Sequence, residues 1–125
     1  MTSDARPLPQ WLTVSTGPAP AVVDGRACRT LAAFFEEVAR ALRLPGYFGR
    51  NWDALTDSLR DATDAGDVAL IVEHAGELLD AEPPEQLATL LAVLADAAET
   101  GLTVTLCADP GREAPLRERI TAALA

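Results

Sequence analysis

The sequence predicts an α/β domain, a small three-stranded parallel β-sheet packed by helices. Three observations predict it. Short β-rich apolar runs stand at residues 21–24, 68–73 and 102–107, and the segments between them show helical apolar spacing. Strands separated by helices pair in parallel through right-handed crossovers, since a tight hairpin joins only antiparallel neighbours.

Taken in order, residues 1–20 carry Pro7, Pro9, Pro18 and Pro20 and read as a tail with one candidate strand at 11–14. A short buried strand at 21–24 meets a turn at Gly25. A helix follows from about 31 to 42, with Leu31, Phe34, Phe35, Val38 and Leu42 at i, i+3, i+4, i+7 and i+11. The run VALIVE at 68–73 is continuously apolar up to its last residue, the pattern of a strand covered on both faces by helices. A short helix at about 76–79 ends before Pro83 and Pro84. The next helix starts at Pro84, whose missing N–H costs nothing in the first turn. Its apolar stripe is Leu87, Leu90, Leu91, Leu94 and Ala98, which leaves Asp96 about 180° from Leu87, pointing away from the core. Gly101 stops that helix before the last strand at 102–107. Residues 114–124, with Leu116, Ile120 and Leu124 at i, i+4 and i+8, read as a terminal helix docked on the domain. The organisation is thus an extension over 1–20, a domain over 21–107 and a second extension over 108–125.

The stretch 44–59, LPGYFGRNWDALTDSL, carries most of the functional information. Pro45 biases Leu44 away from helix, and Gly46 and Gly49 permit tight or left-handed turns, so Tyr47 and Phe48 are offered on a constrained loop. From Trp52 the spacing is helical. With Asp53 at zero and about 100° per residue, Asp57, Asp61 and Asp64 fall at about 40°, 80° and 20°, a single stripe of carboxylates. Trp52, Leu55 and Leu59 lie on the opposite side and face the core, so Trp52 reads as packing and not as an exposed anchor.

Composition bounds the function. At 125 residues the chain is about one domain, able to bury a core without disulfides. Cys28 and Cys107 have neither CxxC nor metal-ligand spacing and read as two reduced, half-buried thiols. No leader-like or membrane-spanning apolar run is present, which places the chain in the cytoplasm. The net charge is −9 and every basic residue other than His74 is arginine. Such a chain is poorly suited to holding a phosphate backbone and better suited to a basic protein. A solvated acidic face explains part of that charge as well.

Catalysis and metal binding have weaker support. Asp53 and Asp57, one turn apart, resemble a general acid–base pair, but they fall on a polar face with no cleft to separate their pKa values. His74, the lone histidine, lacks a nucleophile-elbow motif and reads as structural or superficial. Asp61, Asp64 and Asp67 are spaced by three, whereas a calcium loop needs alternate positions and a twelfth-position glutamate.

The motif Leu-Pro-x-Tyr-Phe-Gly-x-Asn-Trp-Asp-Ala-Leu-x-Asp, with the strand and helix order around it from about 21 to 107, resembles the barstar family, intracellular inhibitors of a small secreted microbial ribonuclease. The resemblance implies that the aromatic loop and following helix plug the nuclease active site, with a carboxylate in place of a substrate phosphate. Asp57 matches that carboxylate. Tyr47 matches the tyrosine that covers the catalytic histidine, Asp53 an acid contacting the enzyme's basic residues, and Asp96 a glutamate on the last family helix. Asp64 matches a further glutamate. Thr56 stands where the family has a tryptophan, and Arg60, Asp61 and Ala62 replace a threonine, a glycine and a tryptophan of the contact loop. Asp61 and Asp67 are read as rim charges. The implied protein is no enzyme: it needs no cofactor or metal, and as a monomer it binds a guanyl-specific ribonuclease one to one. The alternatives are an immunity protein or acidic adaptor for another toxin or a non-nuclease partner and, with least support, a carboxylate-pair hydrolase.

Overall fold

A computed structural model of the chain describes residues 7–12, 14 and 19–125. Its elements are β1 (Ala21–Asp24), α1 (Leu31–Ala41), α2 (Trp52–Asp64), β2 (Val68–Glu73), α3 (Pro84–Ala98), β3 (Leu102–Leu106) and α4 (Glu113–Leu124), joined in part by single 3₁₀ turns. The strands form one sheet in the order β1-β2-β3, all parallel, with Val23 beside Val72 and Leu70 beside Val104. The α/β architecture read from the sequence is the one that forms.

The helices start where side chains satisfy their first N–H groups. Thr30 Oγ1 accepts from Ala33 N–H at 3.2 Å, and Asn51 Oδ1 accepts from Ala54 N–H at 2.8 Å. Pro84 takes the first position of α3, as its sequence context predicts. Gly25 is required by crowding: a Cβ there would lie 2.3 Å from the His74 carbonyl oxygen, so the turn after β1 passes too close to the end of β2 for any other residue.

One core lies between sheet and helices. Val23, Leu70, Val72 and Leu102 come down from the strands to meet Phe34, Phe35 and Val38 of α1, Leu55 and Leu59 of α2 and Leu87, Leu90 and Leu94 of α3. Leu116 of α4 is buried in the same core and Ile120 packs against it, so the terminal helix docks through these two, while Leu124, the third residue of the expected stripe, is exposed. Arg119 strengthens that contact by donating to the Leu78 carbonyl at 2.8 Å.

Several expectations are corrected. The VALIVE strand is covered on one face only: Leu70 and Val72 are buried, while Ala69 and Ile71 are half-buried and their neighbours Val22, Thr103 and Thr105 are exposed. The helices all lie against the first face, and alternate threonines make the second tolerable to water. The last turn of α3 buries Ala97 and leaves Ala98 exposed. The expected helix at 76–79 is a single 3₁₀ turn, Ala75–Glu77. At 11–14 no strand forms among the described residues; Leu12 N–H closes a turn on the Pro9 carbonyl at 2.9 Å, and Thr13 lies outside them. Both cysteines are free, but not half-buried: Cys28 is fully buried and Cys107 exposed. Burial pushes the Cys28 thiol up to about 12, with the nearby Glu37 and Asp24 carboxylates adding to it. Cys107 still extends the ladder past β3, donating its N–H to the Val72 carbonyl and accepting from Ala75 N–H.

Candidate functional site

The loop between α1 and α2 divides its two aromatics. Phe48 N–H donates to the Pro45 carbonyl at 2.9 Å, and this turn puts Gly46 and Tyr47 at its tip. Tyr47 is 88% exposed, while Phe48 folds under to pack on Phe35 with ring centroids 6.2 Å apart. The loop therefore presents one aromatic ring to solvent, where the sequence suggested two. The left-handed residues are also different from those expected. Gly46 and Gly49 do not adopt positive φ; Arg43 at 53° and Arg50 at 50° do, on either side of the loop. Each costs roughly 1–2 kcal/mol that a glycine would not. Part of that cost is met at Arg50, whose guanidinium donates to the Phe48 carbonyl at 2.9 Å and pairs with Glu36. The Arg50 hydrogen bond holds the Glu36 carboxyl below its ordinary range.

Helix α2 then carries the acidic stripe outward. Leu55 and Leu59 are each 1% exposed, and Trp52 packs on Phe34 and Phe35 with centroids 5.8 and 5.1 Å away. With that side committed, Asp53, Asp57, Asp61 and Asp64 all face solvent. Asp53 lies in the first turn, where the helix dipole favours a carboxylate. Asp64 is the last residue of α2, about 10 Å along the axis from Asp57 at 1.5 Å per residue. Thr56 is half-buried and its hydroxyl donates to the Trp52 carbonyl at 2.9 Å, so it adds little to the outer face.

Side-chain bonds fix α2 against α3. The Trp52 indole N–H donates to Gln86 Oε1 at 3.1 Å near the start of both helices, and the Thr63 and Thr100 hydroxyls meet at 2.8 Å near their ends. The two helices therefore run alongside each other in matched register. That register brings Asp96 of α3 up to the acidic stripe. Between them stands Arg60, with Nη2 3.5 Å from Asp96 Oδ2 and Nη1 4.0 Å from Asp57 Oδ1. Of the six candidate residues, the structure joins Asp57 and Asp96 through this guanidinium and sets Tyr47 and Asp53 at the near end of the stripe. Asp64 stands at the far end, and Thr56 is turned inward. Arg60 as a link is what sequence reasoning missed, although its place three residues after Asp57 put it on the same stripe.

Asp53 and Asp57 lie in the open, and neither of two cavities, about 740 Å³ between α3 and α4 and about 400 Å³ beside Ala41 and Ala62, is lined by any of the six. His74 has Asp109 as its partner, Nδ1 to Oδ2 at 3.1 Å. Among the described residues no group of three or more His, Cys, Asp or Glu is arranged to hold a metal ion. None of the helices among them is long and apolar enough to cross a membrane.

The family model described as barstar, the barnase inhibitor, matches residues 19–113. Comparison with curated proteins gave no match.

Proposed function

The chain belongs to the barstar family, and from that premise we propose that it is a ribonuclease inhibitor: it binds a small secreted guanyl-specific microbial ribonuclease one to one, covers the active site and protects the producing cell from within the cytoplasm. The observation that carries this reading is the outward acidic stripe centred on Asp57, whose side chain is 77% exposed, directly after a loop that holds Tyr47 clear of the surface. Both groups protrude, as parts of a plug for another protein's cleft must. Asp57 offers two carboxylate oxygens to arginines that would otherwise hold a substrate phosphate. Asp53 and Asp96 extend the negative contact on either side, Asp64 supplies a further acid at the end of α2, and half-buried Thr56 adds a small contact beside Asp57.

The net charge of −9 supports the same reading, because it speeds encounter with a basic nuclease and makes that encounter sensitive to salt. No cofactor or metal enters such a mechanism, and catalysis by the chain itself has no cleft to support it. Inhibition is stoichiometric occlusion.

The test is to titrate a small guanyl-specific microbial ribonuclease with the purified protein to equivalence, with Asp57→Ala in parallel at two salt concentrations. Truncating one partner of a buried charge pair costs about 2–5 kcal/mol, a range for which the barnase–barstar complex is itself a reference case. The variant should therefore bind about 30- to 5,000-fold more weakly. Full nuclease activity at several equivalents of the wild-type protein would refute the proposal.

A further inference from the structure

We infer that Arg60 is a specificity-determining residue of this face: the guanidinium bridging Asp57 and Asp96 selects a nuclease that presents a carboxylate beside its basic site and disfavours one whose contact surface is wholly basic. This rests on the inhibitor reading above.

The placement is built into the fold. The Trp52–Gln86 and Thr63–Thr100 bonds join α2 and α3 on either side of Arg60 and set the register that brings Asp96 within its reach. Its contacts, 3.5 Å to Asp96 and 4.0 Å to Asp57, reach across the helix pair and along α2. Stability is a poor account of them. The Arg60 and Asp96 side chains remain 58% and 44% exposed, and ion pairs that open to water add little to folding.

Their effect on a partner is larger. Asp57 and Asp96 are two of the carboxylates proposed to receive the nuclease's cations, and both already have a cation beside them. Any arginine or lysine docking on Asp57 comes within a few ångströms of Arg60. As water leaves the closing interface that repulsion strengthens, because the local dielectric falls. A partner carboxylate at the same place reverses the sign. Arg60 is also equipped to take it: of its five N–H donors only those on the terminal nitrogens face Asp57 and Asp96, and its Nε–H has no acceptor among the described residues. A neutral side chain at 60 would leave the stripe uniformly acidic and indifferent to this feature of the partner. With arginine there, the pattern along α2 and α3 is negative, positive, negative, and a matching surface must repeat it with opposite signs.

The experiment compares wild type, Arg60→Gln and Arg60→Lys as inhibitors of a guanyl-specific microbial ribonuclease whose active-site rim carries only basic residues. Each protein is measured at low and high salt. Side-chain ¹⁵N relaxation of the Arg60 Nε–H in the free protein, with Asp96→Asn as control, is measured alongside. Arg60→Gln should unfold at the wild-type temperature and inhibit about tenfold or more tightly, a gain that shrinks at high salt. Arg60→Lys should behave as wild type, and Arg60 should be ordered in the free protein and loosen in Asp96→Asn. Inhibition by Arg60→Gln at concentrations where the wild type inhibits only in part would support the inference most directly. Wild-type inhibition that is unchanged or weakened in Arg60→Gln would overturn it and leave the inhibitor reading standing. An Arg60 that is mobile in the wild type would overturn it as well. No inhibition by any of the three would remove the inhibitor reading, and the inference with it.

Discussion

Replacing Tyr47 by alanine separates the folding role of the aromatic loop from its proposed contact role. The ring is 88% exposed, so it makes almost no contact that folding depends on. The turn beneath it is closed by main-chain groups of Pro45 and Phe48, and Phe48 keeps its place under the loop. The variant should therefore unfold within a degree or two of wild type, since surface substitutions of this kind stay within about 0.5 kcal/mol. Binding is different. An aromatic side chain covers about 150–250 Å² when buried, and at about 25 cal/mol per Å² the exposed share of Tyr47 sets a ceiling of roughly 3–5 kcal/mol. An interface that covers half of it returns about 2 kcal/mol, or close to 30-fold in Kd. The assay pairs a thermal scan with ribonuclease titration of the same preparations. A drop of more than a few degrees in Tm would show that the ring holds the loop together, against the packing described above. Unchanged inhibition would show that the loop does not reach the nuclease.

Three other outcomes follow from the burial pattern. Leu55→Ala removes a side chain that is 1% exposed, and should cost about 2–5 kcal/mol by denaturant unfolding; a loss below 1 kcal/mol would mean that α2 is not seated on the core as described. Cys107 should react with a thiol reagent in the native protein while Cys28 waits for unfolding. The Cys28 thiol is raised by burial from 9.0 to about 12, so between those values the unfolded chain gives up a proton that the folded chain keeps. Stability is thus intact below pH 9 and falls as pH rises above it, by up to about 1.4 kcal/mol per pH unit, and this slope should disappear in Cys28→Ala. Denaturation midpoints at pH 8, 9.5 and 10.5 check it, and equal slopes in the two proteins would contradict the burial of that thiol.

The loop between α1 and α2 owes its shape to the two arginines at its edges. Arg43 and Arg50 hold left-handed backbone angles that favour glycine, while the two glycines of the loop do not. Arg50 offsets its own cost by tying the Phe48 carbonyl and Glu36 together, joining the base of the loop to α1. Strain held by surrounding structure beside the proposed contact surface suits preorganised binding, since a loop already ordered loses less entropy on association.

Periodicity in the sequence determined the three strands and the four helices in their order, and it assigned the two sides of α2 correctly. Leucines at 55 and 59 leave the aspartates at 53, 57, 61 and 64 nowhere to go but outward. The phrase from Leu44 to Asp57 was enough to suggest the family that the chain belongs to. Local pattern could not decide what depends on residues far apart in the chain. Tyr47 and Phe48 are adjacent and chemically alike, and only the packing of Phe35 beneath the loop sends one ring inward and leaves the other in water. The apolar run of β2 looks two-sided in isolation. It is one-sided because all the helices cross on the same face of the sheet. Arg60 and Asp96 are separated by 36 residues and meet only because side-chain bonds near both ends of α2 and α3 set the register between them. Amphipathic faces are encoded by near neighbours, so a sequence states them directly; which faces meet, and in what register, is settled by packing that no single segment contains.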